Sequence, residues 1–348
     1  MFPPDRLARI ARWWRLPLWT VALFTGAKSF ADNPILGSRR LNRAGLHVWR
    51  VKAAHALARG RRHRLGRSLP ADLRDEFDRN GFVVVRDFLT DEEFKSLQAD
   101  ILETELPTRA HQQGDTLTRR VTIDPQLRAR FPQLDHLLED KRWGQIMAYV
   151  ASTRSEPLYY IQTILGGIEE GPPDPQLQLH ADTFHPSLKA WLFLTDVEDD
   201  GRPLTYVAGS HRPTPKRLAW EQRKSVEVLD SGDRLSERGS LRIAPDELAE
   251  LGLPQPTRFA VPANTLVAID TYGFHARGDS SRPTKRVEIW AFSRRTPFLP
   301  WAGGHLMSWR PIAGRRAQWL NSLLDWADRH GWAKQHWRPQ EPRRPIDS

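Results

Sequence analysis

The feature that most constrains the fold is a set of four polar residues that lie far apart along the chain. His180 and Asp182 stand two positions apart, and in a β-strand residues at this spacing point to the same face. An imidazole and a carboxylate on one face can bind a single metal ion. His275 lies 93 positions after Asp182 and can supply a third ligand, and Arg286 follows His275 by eleven positions. The sequence therefore predicts a fold that brings residue 275 back to residues 180–182.

Two histidines and one carboxylate occupy one face of a metal ion and leave the opposite face open, as in non-haem Fe(II) oxygenases. Arg286 opens an alternating strand that runs to Phe292, and a guanidinium there can hold a dicarboxylate by a bidentate contact. The His-x-Asp pair alone is a weak signal, because strand residues bonded to their own neighbours give the same pattern. The second histidine and the arginine favour the metal site.

Further segments over residues 74–298 resemble the phytanoyl-CoA dioxygenase family of Fe(II)/2-oxoglutarate-dependent oxygenases. They are similar to that family's first strand and helix, iron motif, central strand and Gly-[Ser/Thr]-His turn, and they occur in the same order: Asp78–Glu93, Leu179–Asp182, Ala190–Asp196 and Ala208–Arg212. The spacing from His275 to Arg286 also matches the family's distal histidine and 2-oxoglutarate arginine.

This resemblance implies a mainly β fold with flanking helices (α+β), built on a double-stranded β-helix, or jelly roll. It implies that His180, Asp182 and His275 hold Fe(II), and that Arg286 binds the far carboxylate of 2-oxoglutarate. O2 is then the second co-substrate. Halogenating relatives replace the carboxylate ligand with a small residue, so Asp182 favours hydroxylation or desaturation.

The resemblance also suggests further contacts to 2-oxoglutarate. Trp191 stands where the family has a tryptophan beside 2-oxoglutarate, although a core tryptophan would look the same. Gln162 and either Arg119 or Arg120 match upstream contacts. Arg277 departs from the family pattern, which often has serine there, and it indicates either an altered co-substrate contact or an anionic substrate.

The remaining histidines are weaker candidates. His185, three positions after Asp182, either supports the metal ligands, faces the substrate or is structural. His211 is expected to hold the Gly-Ser-His turn rather than a metal. Six others are interpreted as surface residues: His63, His111, His136, His305, His330 and His336.

Composition adds two constraints. The chain has no cysteine, which excludes disulfides, thiolate zinc sites, iron–sulfur clusters and cysteine nucleophiles, and which fits a reducing cytosol. Residues 1–67 hold 15 Lys/Arg against 2 Asp/Glu, so this segment carries the whole excess of the net charge of +10. Such a segment seeks phosphates on a membrane surface or on nucleic acid, and we expect the membrane rather than nucleic acid.

The apolar run near the start, Leu16–Phe24, has nine residues, whereas a spanning helix needs about 20. An interfacial helix on the inner leaflet is the preferred interpretation, and a signal peptide that ends at Ser29–Ala31 is the alternative. Ten of the 14 tryptophans lie outside residues 68–300, where they either favour the membrane boundary or pack terminal helices: Trp13, Trp14, Trp19, Trp49, Trp301, Trp309, Trp319, Trp326, Trp332 and Trp337.

The chain divides into a basic helical segment (1–67), a jelly-roll dioxygenase domain (68–300) and a C-terminal helix with a Pro/Arg tail (301–348). Thr90 to Glu93 forms a capping box, and residues 105–130 read as polar and irregular. Residues 213–256 form a long insertion with two short helices. The patterning predicts these strands: Phe82–Val85, Leu158–Leu165, Leu177–His180, Leu188–Thr195, Leu204–Val207, Thr265–Ile269 and Arg286–Ser293.

The functional hypothesis is a cytoplasmic 2-oxoglutarate-dependent hydroxylase, peripheral on the inner membrane, whose unidentified substrate is lipid-linked or acyl. A soluble hydroxylase of a small metabolite and a non-catalytic jelly-roll binding protein are the alternatives. Arg286 distinguishes the hydroxylases from the non-catalytic binding protein, because a binding protein does not need an arginine that holds a dicarboxylate. The sequence leaves the oligomeric state open.

Overall fold

The computed structural model describes residues 15–303 and 310–347. The first part of the predicted interfacial segment, residues 1–14, therefore lies outside the described residues. The same holds for four individual predictions: Trp13, Trp14, His305 and Trp309.

Two antiparallel sheets form the centre of the described chain. The larger has the spatial order β1–β8–β5–β10–β4–β3–β2–β11 and the smaller the order β7–β6–β9. In chain order the strands are β1 (Phe82–Val85), β2 (Leu106–Gln113), β3 (Thr116–Thr122), β4 (Leu158–Gly166), β5 (Leu188–Phe193), β6 (Leu204–Tyr206), β7 (Thr257–Arg258), β8 (Leu266–Asp270), β9 (His275–Arg277), β10 (Thr284–Ser293) and β11 (Arg338–Arg343). The jelly-roll fold class with flanking helices is confirmed.

Helices surround the sheets. In chain order they are α1 (Leu16–Ala22), α2 (Arg39–Arg43), α3 (Leu46–Leu65), α4 (Ala71–Asn80), α5 (Asp91–Leu102), α6 (Pro125–Arg130), α7 (Pro132–Glu139), α8 (Lys141–Ala151), α9 (Pro215–Glu227), α10 (Arg234–Glu237), α11 (Pro245–Leu251), α12 (Arg310–Ala313) and α13 (Arg316–Arg329). The predicted capping box of α5 is confirmed, since Thr90 accepts from the Glu93 backbone and Glu93 reaches back to Thr90.

Successive side chains of β10 point alternately to the helix-covered core and to the inner face of the jelly roll. Val287, Ile289 and Ala291 join the apolar cluster formed with α5, α7 and α8. Trp290 lies on the opposite face, in the cluster shared with the smaller sheet. Because successive strand residues point to opposite faces, Arg286 and Glu288 share the inner face with Trp290. The helices thus cover the outer face of the larger sheet, and its inner face is left for a site.

The basic N-terminal segment packs onto the jelly roll through α3. Arg50 is 1% exposed, and its guanidinium donates to the carbonyls of Leu23, Thr25 and Ala27 at 2.9, 3.0 and 2.7 Å. Arg61 is buried to the same extent and binds the carbonyls of Ser152, Pro297 and Leu299. Buried carbonyls need donors, and these two arginines supply them to loops on both sides of α3.

Two sequence predictions about secondary structure are wrong, and one strand was not predicted. Residues 105–130 are not irregular, because β2 and β3 form a hairpin across Gly114 and Asp115 and α6 follows. Leu177–His180 is not a strand, since a 3₁₀ turn occupies Pro175–Leu177 and His180 makes only isolated bridges. The sequence predicted no strand in the Pro/Arg tail, yet β11 pairs there with β2 at the edge of the sheet, where proline is tolerated.

We expect Arg50→Met to lower the free energy of unfolding by about 3 kcal/mol, because three partly buried carbonyls lose their donors. Urea denaturation measures the change. Arg59→Met on the exposed side of the same helix is the matched control and should change stability by less than about 0.5 kcal/mol. Equal stability of the two variants would contradict the structural role of Arg50.

Candidate metal and co-substrate site

Backbone pairing brings the two histidines together. His180 donates to the carbonyl of His275 at 3.0 Å, and His275 returns a bond of the same length to the carbonyl of His180. Paired residues of an antiparallel ladder carry their side chains on the same face, and the two rings lie with centroids 4.6 Å apart. Asp182 is fixed by its own backbone bond to the carbonyl of Thr271. The chain therefore returns residue 275 to residues 180–182.

The three side chains converge with the geometry of a metal ligand set. The nitrogens and oxygen they offer lie within 4.8 Å of one another, and Asp182 Oδ1 is 3.5 Å from His180 Nε2 and 3.8 Å from His275 Nε2. Nδ1 of His180 lies 2.8 Å from the carbonyl of Gln178, and Nδ1 of His275 lies 3.0 Å from that of Gly273. Each Nδ1–H therefore donates to a carbonyl, which leaves Nε2 as the ligand atom. This donor set fits ferrous iron.

The electrostatics of the three residues suit metal binding. Although burial alone would raise the pKa of the Asp182 carboxyl, the Lys189 ammonium and the two imidazoles hold it well below its usual range. Burial lowers the pKa of His275 to about 3, so the ring is neutral at physiological pH. A charged carboxylate and a neutral imidazole are the forms that bind metal.

A cavity of about 190 Å³ adjoins the two histidines inside the jelly roll. All four residues predicted to contact 2-oxoglutarate line it: Arg120, Gln162, Trp191 and Arg286. Arg119 does not line it, because its guanidinium turns away to the carbonyl of Asp347, so Arg120 is the one of the two arginines that faces the cavity.

A row of polar contacts crosses three strands at the floor of this cavity. Arg120 Nε donates to Gln162 Oε1 at 2.8 Å, and Gln162 Nε2 donates to Glu288 Oε1 at 2.6 Å. Glu288 Oε2 accepts from Arg286 Nε at 3.0 Å, and Arg286 also donates to the carbonyl of Arg202. The strand register places Glu288, Gln162 and Arg120 side by side. Glu288 therefore orients both Arg286 and Gln162.

The cavity carries an excess of positive charge. Arg277 pairs with the buried carboxylate of Asp174, as Arg286 pairs with Glu288, while Arg120 contacts neutral Gln162. Burial lowers the pKa of Arg120 and that of Arg277 to about 10, so both remain cationic at neutral pH. A small dicarboxylate complements this arrangement, because each acidic group can find a guanidinium.

The phytanoyl-CoA dioxygenase (PhyH) family profile matches residues 77–229. These residues form a PhyH domain. The match includes His180 and Asp182 and ends before His275 and Arg286, which the fold brings to the same site. The donor set and the cavity suit iron, 2-oxoglutarate and O2 as cofactors.

The solved structures that match this chain share little sequence with it. The epimerase SnoN, in complex with Fe³⁺, α-ketoglutarate and nogalamycin RO, is 21% identical, with 64% of this chain and 81% of SnoN covered at a TM-score of 0.41. The carbocyclase SnoK from nogalamycin biosynthesis is 17% identical, with 66% and 84% covered at 0.41. HygX from Streptomyces hygroscopicus, with nickel and 2-oxoglutarate bound, is 17% identical, with 64% and 86% covered at 0.39. No curated protein matches the chain.

Lys189 is a site residue that sequence reasoning missed. Its ammonium lies 2.7 Å from Asp182 Oδ2 and 3.4 Å from His275 Nε2. Because Lys189 holds Oδ2, the other oxygen of Asp182 faces the two imidazoles. The signal was present in the sequence, since Lys189 stands two positions before Trp191 in β5 and so shares its face.

Trp337 is a second residue that sequence reasoning missed as a site residue. It lines the cavity from the C-terminal segment, and the Arg120 guanidinium lies 4.2 Å from its ring centroid and 3.9 Å from that of Trp290. The backbone carbonyl of Trp337 is held by Arg109 at 2.9 Å. The sequence grouped Trp337 with the membrane or packing tryptophans, because nothing local shows that the tail returns to β2.

The other histidines mostly follow their predictions. His185 is fully buried, with Nδ1 2.9 Å from the carbonyl of Pro186 and with Nε2 lacking a hydrogen-bond partner among the described residues. His211 is buried against Phe77. His63, His136, His330 and His336 are exposed, whereas the surface prediction for His111 is wrong, since it is half-buried against Trp337.

We expect Trp337→Ala to weaken 2-oxoglutarate binding about three- to tenfold, because Arg120 loses one of the rings that fix it. Anaerobic titration of the iron-loaded protein with 2-oxoglutarate measures the dissociation constant. Trp332→Ala, which removes a 73% exposed tryptophan of the same segment, is the control and should leave the constant unchanged. Equal effects of the two substitutions would show that Trp337 does not shape the cavity.

Proposed function

We propose that this protein is an Fe(II)- and 2-oxoglutarate-dependent hydroxylase that acts on a lipid-linked or acyl substrate at the cytoplasmic face of a membrane. One observation carries the enzymatic part. The candidate ligand atoms of His180, Asp182 and His275 lie within 4.8 Å of one another, beside a cationic cavity that contains Arg286.

The protein's own residues bind, orient and exclude water. When bound, iron, O2 and 2-oxoglutarate supply an oxidation that is coupled to decarboxylation of the co-substrate to succinate. Arg286 and Arg120 would bind the co-substrate's acidic ends, and Gln162 and Glu288 keep these arginines in place. Trp191, Trp290 and Trp337 line the cavity with apolar surface, which limits water around the reacting groups. Asp182 favours hydroxylation over halogenation, since the carboxylate fills the position a halide would need.

The first support for a membrane location is an exposed apolar surface beside the basic N-terminal segment. Leu18, Val21, Phe24 and Trp49 are 62%, 61%, 55% and 48% exposed, and the rings of Phe24 and Trp49 are 6.1 Å apart. We call these four residues the N-terminal apolar patch. Exposed cations accompany it along α2 and α3: Arg39, Arg40, Arg43 and Lys52. Apolar residues flanked by cations suit a surface of anionic lipids.

The C-terminal helix α13 gives a second exposed apolar face. Trp319, Leu320, Leu323 and Trp326 are all 39–59% exposed, and Ala317 is the one buried residue of this helix. Tryptophan favours the boundary between lipid and water. Among the described helices none is long and apolar enough to cross a bilayer.

We expect the anaerobic protein to develop a visible iron-to-2-oxoglutarate absorption band when Fe(II) and 2-oxoglutarate are added without substrate. His180→Ala should abolish it, because a ligand is lost. His136→Ala, which removes an exposed imidazole, is the control. A wild-type protein that binds iron and 2-oxoglutarate but shows no band would contradict the proposed centre.

Flotation with anionic vesicles tests the location. We expect the protein to float with the vesicles and the double variant Leu18→Ser/Val21→Ser to bind at least about tenfold more weakly, because exposed apolar area is removed. Ile168→Ser/Leu229→Ser, which changes two exposed apolar residues outside the patch, should bind like the wild type. A wild type that stays in solution would favour a soluble hydroxylase of a small metabolite.

A further inference from the structure

The candidate metal centre opens to solvent on the side of Asp182. The Asp182 side chain is 23% exposed, whereas those of His180 and His275 are 2% and 4% exposed. The cavity with Arg286 lies on the histidine side, because Asp182 is not among its lining residues. A substrate that approaches the centre from outside therefore meets the surroundings of Asp182 first.

Lys28, from the basic N-terminal segment, stands at this opening. Its ammonium donates to the backbone carbonyl of Asp182 at 2.5 Å, across 154 positions of sequence. Arg50 holds the loop before it through the carbonyls of Leu23, Thr25 and Ala27. The loop after it is held as well, because the backbone N–H groups of Phe30 and Ala31 both donate to the carbonyl of Glu237. Lys28 is thus fixed from both sides before any ligand arrives.

Gly239 fixes the same loop by close approach. A Cβ at this position would lie 2.2 Å from the carbonyl oxygen of Lys28, and φ is +82°, a conformation that favours glycine. The loop around Lys28 therefore packs directly against Gly239, where a larger residue would displace it.

Arg242, Arg294 and Lys189 lie near Lys28, and the acidic groups near these cations are Asp182 and Asp233. Arg242 is paired through the backbone with His180 and is buried, and Arg294 donates to the carbonyl of Gly26 at 2.9 Å. Once Asp182 binds a metal dication, its charge is no longer available to these cations.

We infer that Lys28 and Arg294, in the field of Arg242, bind an acidic group of the substrate beside the metal centre. The inference rests on the proposed oxygenase function and narrows its substrate to molecules with a phosphate, sulfate or carboxylate near the oxidised carbon. A preformed cluster of cations binds such a group tightly, because the free energy needed to bring the like charges together is already included in the free energy of folding.

Binding of matched probes to the full-length protein, loaded with Ni(II) and 2-oxoglutarate, tests the inference by calorimetry without turnover. Decyl phosphate and decyl maltoside are compared at concentrations below micelle formation, and glycerol phosphate is the soluble phosphate. We expect decyl phosphate to bind at least about tenfold more tightly than decyl maltoside. Tighter binding of decyl phosphate than of glycerol phosphate identifies a lipid source, and equal binding identifies a soluble metabolite.

Substitutions in and beside the Lys28 loop test which residues bind the phosphate group. Lys28→Met should weaken phosphate binding about tenfold, because a charge-assisted contact is lost, and Lys28→Arg should restore most of it. Gly239→Ala should weaken it similarly, since the loop moves while the charge remains. Lys52→Met removes an exposed lysine of the same basic segment and should have no effect.

The outcomes separate this inference from the oxygenase function. If the visible iron-to-2-oxoglutarate band forms but the phosphate and the maltoside bind alike, or if Lys28→Met matches Lys52→Met, the acidic-substrate inference is wrong and the oxygenase remains. If no band forms, the oxygenase function itself fails.

Discussion

The reciprocal backbone hydrogen bonds between His180 and His275 are the constraint on which the site depends. β9 has three residues, so its register is set by few bonds, and a slip by one position would turn His275 to the opposite face. Tyr206 anchors that register, because it is paired with His275 and donates its hydroxyl to the carbonyl of Asp270. Gly273 is required beside it, since a Cβ there would lie 1.8 Å from the Tyr206 hydroxyl.

Ion pairs then fix the charged side chains of the site. Glu288 holds Arg286, Asp174 holds Arg277 and Lys189 holds Asp182. Removing one partner of such a pair leaves a buried charge unmatched, so each pair stabilises a defined geometry more than it stabilises the fold. The site is therefore preorganised by ion pairs that do not include the metal or the co-substrate, and the ligands enter a field already set by the protein.

The sequence could predict the fold class and the site residues that lie in strands. Alternation places Arg286 and Trp191 on inner faces, and the spacing of His180 and Asp182 indicates their common side even though His180 lies at an isolated bridge. The β2–β3 hairpin was missed because four of its seven buried residues are polar, which obscures the apolar alternation: Thr108, Thr116, Thr118 and Arg119. Trp337 and Lys28 could not be predicted, because each reaches the site through contacts between the chain ends and the jelly roll, which no local pattern encodes.

The basic N-terminal segment shows why net charge is a poor guide to surface charge. Its arginines were interpreted as cations that seek phosphates, yet Arg50 and Arg61 are 1% exposed and serve buried carbonyls, while Arg62 binds Asp270 at 2.9 Å. Only the remaining exposed cations can attract a membrane. The same segment also delivers Lys28 to the metal centre. The buried side of this segment thus packs against the jelly roll. The boundary at residue 67 marks a change in amino-acid composition, whereas the contacts that hold the site together cross it.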